Sequence, residues 1–83
     1  MNENQLPGDA AMPDPEWLKS LVRTKMPFGK YKNTTLSRLP IFYLEWFARK
    51  GFPKGKLGKQ LEAVYEIKLN GLDDILKTVE KIS

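Results

Sequence analysis

Apolar residues recur at helical spacing in four segments of the chain, and this periodicity predicts four helices. The predicted helices cover about Pro15 to Arg23, Pro40 to Lys50, Leu57 to Asn70, and a last segment that begins at Asp73 or Asp74 and ends near Ile82. Local signals support these ends, because Asp14 is a good N-cap and Gly51 and Gly71 follow the second and third segments.

The second predicted helix is apolar on nearly all sides, interrupted only by Glu45, Arg49 and Lys50. A helix of this kind is usually packed from several directions, so the pattern predicts that it is the central element of the core. Its aromatic residues are therefore assigned to the core in preference to an exposed stacking platform. These residues are Phe42, Tyr43, Trp46 and Phe47.

Two short segments between the first and second helices are candidates for extended structure. They are Lys25 to Phe28 and Thr34 to Leu36, joined by a loop of hairpin length from Gly29 to Asn33. The pattern therefore predicts an α+β fold, in which a short β-hairpin joins about four helices in one domain over residues 13–83. Residues 1–12 are polar and predict a disordered leader.

The amino-acid composition by itself argues against several classes of function. The 83 residues contain neither cysteine nor histidine, which removes the usual general base, the usual nucleophile pairs and most transition-metal sites. We therefore expect no enzymatic activity, no cofactor and no metal centre. The lack of cysteine favours a cytoplasmic setting, and residues 1–12 lack the features of a signal peptide or membrane segment.

Positive charge is concentrated in the middle of the chain. Residues 23–59 carry ten basic groups and one acid, whereas the segments before and after them are both net negative. A segment this basic predicts an anionic partner, and nucleic acid is the commonest one. The alternatives are an acidic partner protein bound by an adaptor, or a basic face that is merely solvated.

Two groups of residues are candidates for contact with nucleic acid. The first is the predicted hairpin loop, where Lys30 and Lys32 would contact phosphates and Tyr31 would stack on a base. The opposing interpretation is that Tyr31 folds back onto the second helix and the lysines are solvated. The second group lies at the junction of the second and third helices and comprises Arg49, Lys50, Lys54, Lys56 and Lys59.

Several motifs together resemble a family of small bacterial proteins labelled putative quorum-sensing-regulated virulence factors. They are MPFGKYK from Met26, LSRLP from Leu36, YLEWFARKGFPKGKLG from Tyr43 and EIKLNGL from Glu66. The loop motif with Leu39-Pro40 and the start of the third motif is also similar to a small C-terminal module of exodeoxyribonuclease X-type exonucleases. That similarity implies an accessory module acting near nucleic acid, and Asn33 replaces the glycine that is usual in the loop.

Overall fold

A computed structural model describes residues 14–83, and four α-helices form most of this part of the chain. They are α1 (Pro15–Arg23), α2 (Ile41–Lys50), α3 (Lys56–Leu69) and α4 (Asp73–Ile82), with a 3₁₀ helix at Leu36–Arg38 between α1 and α2. The predicted leader, residues 1–12, lies outside the described residues. None of the helices described is long and apolar enough to cross a membrane.

The predicted β-hairpin is wrong, and with it the α+β fold class. Over residues 14–83 there is no strand or sheet, and Lys25 and Thr35 form a single isolated antiparallel bridge. Pairing stops there because Pro27 has no amide proton to donate, while the chain turns back at Asn33 with a positive φ of 73°. The domain is therefore mostly helical.

The same bridge nevertheless closes the loop that follows it. The amide of Met26 donates to the carbonyl of Thr34 at 2.8 Å, and the amide of Asn33 donates to the carbonyl of Met26 at 2.7 Å. The amide of Leu36 donates to the carbonyl of Thr24 at 2.9 Å, which carries the pairing to the start of the 3₁₀ helix. The loop is thus held at its base although it belongs to no sheet.

The predicted helix ends agree with the structure to within about two residues. At α1, the carboxylate of Asp14 accepts a hydrogen bond from the amide of Glu16 at 3.0 Å, as expected of an N-cap. At α2, Pro40 is extended and precedes the helix, which then begins at Ile41. Gly51 ends α2 with a φ of 108°, a backbone conformation that residues other than glycine rarely adopt.

The turn from α3 to α4 is a Schellman motif, the double hydrogen bond that commonly closes a helix at a glycine. The amide of Leu72 donates to the carbonyl of Ile67 at 2.9 Å, and the amide of Gly71 donates to that of Lys68 at 3.0 Å. Gly71 has φ of 71°, the left-handed conformation that this motif needs. The end of α3 is therefore set by local chemistry.

The core lies where α1 packs against α4, where α2 packs against α3, and under the 3₁₀ helix that contacts both α1 and α3. Its buried apolar residues are Leu21, Val22, Met26, Leu36, Leu39, Leu44, Phe47, Leu61, Val64 and Leu76. One polar side chain, Gln60, is buried with them, and its amide donates to the hydroxyls of Ser20 and Thr24 at 3.2 Å each. These bonds tie α3 to the end of α1.

The prediction that α2 is packed on nearly all sides is also wrong. Leu44 and Phe47 are buried, but Phe42 is 61% exposed and Trp46 is 45% exposed. The physical reason is that α2 packs against α3 on one side, and no other helix in the described part of the chain covers its opposite side. The outer face of α2 therefore presents aromatic rings to solvent.

Candidate functional site

An open groove of about 660 Å³ lies along the outer face of α2, between that helix and the loop closed by the bridge. It is lined by Phe28, Gly29, Lys30, Tyr31, Phe42, Tyr43, Trp46, Phe47 and Arg49. Six of these nine residues are aromatic and two are basic, while none is acidic. We call this feature the aromatic groove.

One wall of the aromatic groove is the loop, which is built from two tight turns. The amide of Lys32 donates to the carbonyl of Gly29 at 3.2 Å, and the amide of Thr34 donates to the carbonyl of Tyr31 at 3.0 Å. Gly29 has φ of 78°, and a Cβ atom there would lie 3.2 Å from the hydroxyl of Tyr43. Glycine therefore serves both the turn and the close approach of the loop to α2.

The floor of the aromatic groove is a chain of ring contacts. The ring centroids of Tyr31 and Tyr43 are 4.6 Å apart, those of Tyr43 and Phe47 are 5.1 Å apart, and Trp46 meets Phe47 edge-on at 5.1 Å. Phe52 stacks on the far side of Phe47 at 6.2 Å. Because such contacts add to the apolar burial, the floor is fixed relative to the core.

Tyr31 folds back onto α2, and whether it also contacts a base stays a prediction. It is half-buried against Tyr43, and its ring is part of the floor. Burial, and then the charge on Tyr31 when that phenol ionises, raise the pKa of the Tyr43 hydroxyl above its ordinary value. A phenol in this position stays neutral near pH 7 and cannot repel an anion.

Two basic side chains stand at the rim of the aromatic groove. The ammonium of Lys30 lies 5.7 Å from the centroid of the Tyr31 ring, a distance within the range of a cation–π contact. Arg49 comes from α2 and belongs to the other predicted cluster, so the fold brings one basic residue of each cluster to the same groove. Lys32 is exposed on the same loop but does not line the groove.

The remaining candidates lie around the connector between α2 and α3, outside the lining of the aromatic groove. Lys50, Lys54, Lys56 and Lys59 are all exposed. A Cβ atom at Gly58 would overlap the carbonyl oxygen of Pro53, and this shows that the connector packs tightly on α3. These four lysines are available to a ligand, and their role in binding stays a prediction.

A second cavity, of about 450 Å³, lies between the 3₁₀ helix and α4 and has mixed charge. Four basic residues line it, Arg38, Lys68, Lys77 and Lys81, together with the acids Asp73 and Glu80, and the guanidinium of Arg38 pairs with the carboxylate of Glu80 at 2.8 Å. An anion entering here would meet two carboxylates, whereas no acid lines the aromatic groove. Residues 14–83 contain no group of three or more His, Cys, Asp or Glu side chains placed to hold a metal ion.

Sequence reasoning missed three exposed rings of the groove, which belong to Phe28, Phe42 and Trp46. A signal for two of them was present, because Phe42, Trp46 and Arg49 are spaced four and three residues apart and so share one helix face. A charged residue in line with two aromatics indicates that this face meets solvent. The number of apolar residues in this segment outweighs that signal and favours a helix that is apolar on most sides.

The fold and the groove define a small helical domain with a basic, ring-lined surface. The chain belongs to the family described as putative quorum-sensing-regulated virulence factor, whose match covers residues 14–79. The family resemblance inferred from the motifs is thereby confirmed.

Two curated proteins are similar to this chain over most of its length. Each is named Uncharacterized protein YpeB, one from Escherichia coli strain K12 and the other from Escherichia coli O157:H7. Each is 45% identical over 67 residues, which cover 80% of this chain and 93% of the relative. Neither name mentions an exonuclease, so the similarity to the exonuclease module stays a prediction. No solved structure matches this chain.

Proposed function

We propose that this protein is a small nucleic-acid-binding accessory module and that the aromatic groove is its main contact surface. The observation that carries the proposal is the presence of Lys30 and Arg49 at the rim of a groove that also exposes the rings of Phe42 and Trp46. Ammonium and guanidinium groups bind phosphates, and aromatic rings bind the faces of bases. Sites for single-stranded nucleic acid commonly combine both kinds of group, and both are present here.

The charge around the groove supports the same proposal. No acid lines the groove. Residues 23–59 carry ten basic groups and a single acid, Glu45. A polyanion approaching this surface is therefore attracted over a distance comparable to the Debye length, about 10 Å at moderate salt. Lys32 on the loop and the connector lysines would extend the contact beyond the groove.

The accessory role rests on the sequence. The similarity of the loop and α2 motifs to the C-terminal module of exodeoxyribonuclease X-type exonucleases favours a module that assists chemistry performed elsewhere. The lack of histidine and cysteine points the same way, since the usual catalytic groups are missing. As part of the same proposal, the protein acts in the cytoplasm. The cytoplasm is reducing and disulfides are rare there, which fits a chain without cysteine.

Fluorescence anisotropy with labelled DNA and RNA oligonucleotides across a salt series tests the proposal. Replacing Lys30 and Arg49 with alanine removes two rim cations, so the slope of log K against log salt on single strands should become shallower by about 1.4. The matched control replaces Lys77 and Lys81, two exposed lysines of α4, and should leave the slope nearly unchanged. Equal effects of the two double variants would show that the groove is not the contact surface.

The competing function is that of an adaptor whose basic face binds an acidic partner protein. The same measurement separates the two, because an adaptor need not bind free oligonucleotides. Absence of binding to every DNA and RNA tested, even at about 50 mM salt where phosphate contacts are strong, would overturn the nucleic-acid proposal and favour the adaptor.

A further inference from the structure

Three exposed rings frame the aromatic groove from two different elements. Phe42 and Trp46 project from α2, where they are 61% and 45% exposed, and Phe28 projects from the loop, where it is 44% exposed. Large aromatic side chains are normally buried, because each can remove about 150–250 Å² from water. Three of them around one groove make an apolar surface that can bind flat ring systems.

The exposed rings are held in place by the buried ones. Trp46 rests edge-on against Phe47 with an interplanar angle of 78°, and Phe47 is 5% exposed and anchored in the core. A ligand that binds the ring of Trp46 therefore meets a surface that is already ordered. Little conformational entropy is lost on binding to such a surface, which favours stacking.

The charge of the rim limits the class of occupant. Lys30 and Arg49 are the charged residues of the lining, so a ligand that fits must combine flat apolar rings with negative charge. Nucleotides have this combination, with a base that offers a ring face and a phosphate that offers charge. The volume of about 660 Å³ falls within the range of pockets that take drug-sized ligands, which corresponds to about one or two nucleotides.

We infer that the aromatic groove binds unpaired bases of a single strand, an inference that rests on the proposed function. In a duplex, each base is stacked between its neighbours about 3.4 Å apart, so its faces are not available to a protein ring. Phe42 and Trp46 are four residues apart on one helix, which spaces their attachment points by about 6 Å along the helix axis. Bases stacked on each other are only about 3.4 Å apart. Two protein rings about 6 Å apart can therefore stack on successive bases only if those bases are separated from each other.

The residues then have distinct roles. Trp46 and Phe42 stack on bases, and Lys30 and Arg49 contact the phosphates on either side of them. Tyr31 contributes to the floor and holds the loop against Tyr43, so in this inference it is a positioning residue.

Three oligonucleotides of equal length test the inference with the full chain. They are a single strand of about 12 nucleotides, a strand of the same length in which the central sites are abasic, and a duplex of the same sequence. The abasic strand keeps the phosphates but lacks the ring faces. We expect the normal single strand to bind about 5- to 150-fold more tightly than the abasic one, the range that stacking of one base gives. We expect it to bind more tightly than the duplex as well.

Variants of the two rings identify where stacking occurs. Trp46→Ala and Phe42→Ala should each weaken binding of the normal strand by about 5- to 150-fold and leave binding of the abasic strand nearly unchanged. Ile75→Ala removes an apolar side chain of α4 that is 41% exposed, and it serves as the matched control with unchanged affinity. Because Phe42 is the more exposed ring, its variant keeps the test valid even if Trp46→Ala lowers the stability of the fold.

The outcomes separate this inference from the proposed function. Equal binding of the normal strand, the abasic strand and the duplex would overturn base stacking while leaving nucleic-acid binding intact. Loss of affinity for the abasic strand as well, in either ring variant, would show that the rings support the fold and do not contact bases. Failure of all three oligonucleotides to bind would overturn the proposed function itself.

Discussion

Trp46 and Phe47 are neighbours in sequence with opposite environments. Phe47 points into the core and is 5% exposed, whereas Trp46 lies on the outer face and is 45% exposed. A single helix produces this difference, because adjacent residues are rotated by about 100° around its axis. The contribution of each ring to stability should therefore differ in the same direction.

We expect Phe47→Ala to lower the free energy of unfolding by about 3–5 kcal/mol, the usual cost of removing a buried phenylalanine. Trp46→Ala should cost about 1–2 kcal/mol, because about half of this side chain is already in water. Urea denaturation of both variants measures the difference. Equal costs would place Trp46 in the core, as the sequence predicted, and would leave the groove without its main ring.

The hydroxyl of Tyr43 gives the fold a sensitivity to high pH. Its folded-state pKa is raised above the ordinary value of 10.0, first by burial and then by Tyr31. Below about pH 10 this group is protonated in both folded and unfolded chains, so it does not change stability with pH. As pH rises beyond that value the unfolded chain loses its proton first, and the stability falls until the folded pKa is passed.

Tyr43→Phe should therefore lose less stability than the wild type between about pH 8 and about pH 11. Every other ionisable group is common to both proteins, so the difference between them reports Tyr43. Urea midpoints at the two pH values give the result. An equal fall in both proteins would contradict the raised pKa.

Helix ends could be predicted from the sequence because they depend on a few neighbouring residues. Asp14 caps α1, Gly51 ends α2 and Gly71 closes α3, and each acts through hydrogen bonds or backbone angles within one turn. The hairpin could not be predicted correctly, because whether Thr34 to Leu36 extends into a strand depends on partners beyond the single bridge at Lys25. Residue types favoured pairing, and tertiary packing did not continue it.

The candidate site was predicted in part for the same reason. The basic residues of the loop and of α2 were identified from local charge, and the fold places Lys30 and Arg49 at one groove. The exposed faces of Phe42 and Trp46 were assigned to the core, because a helical pattern does not show which sides its neighbours cover. Which side of α2 is covered depends on its packing against α3, and this packing is a tertiary feature.

The connector between α2 and α3 depends on close packing at Gly58. A Cβ atom there would overlap backbone atoms of Pro53, which cannot rotate away as a side chain would. We expect Gly58→Ala to destabilise the fold by about 1–3 kcal/mol and to shift the connector. Nuclear magnetic resonance chemical shifts of residues 51–55 report this movement. This range includes Phe52, which stacks on Phe47.

Gly71→Ala is the matched control for that prediction. No atom lies within 4 Å of a Cβ built at Gly71, so its cost arises from the positive φ alone and should be about 1–2 kcal/mol. It should leave the resonances of the connector unchanged. Movement of the connector in this variant, or none in Gly58→Ala, would contradict the steric explanation.

The distribution of charge over the whole molecule predicts how binding depends on salt. The rim of the groove alone supplies two cations, whereas a strand that also reaches Lys32 and one or two of the connector lysines would meet four or five. For such a strand the slope of log K against log salt should be about −3 to −4. Replacing Lys54, Lys56 and Lys59 together with alanine removes those one or two contacts and should make the slope shallower by about 0.7 to 1.4.

Anisotropy with strands of about 4 and about 12 nucleotides checks this prediction. The short strand should give a slope of about −1.4, because it spans only the rim of the groove. A slope that stays the same for both lengths and in the triple variant would show that the connector lysines do not take part in binding.

The position of α2 has one more consequence, which concerns heat. The same helix buries Leu44 and Phe47 on one side and carries the groove on the other, so a ligand bound there can attach only to the folded chain. At a concentration of about 100 times the dissociation constant, such a ligand adds about 2.7 kcal/mol to the free energy of unfolding. In a domain of this size that corresponds to a rise in Tm of about 10–20 °C. Unlabelled nucleotides, oligonucleotides and acidic peptides can therefore be ranked by thermal melting alone.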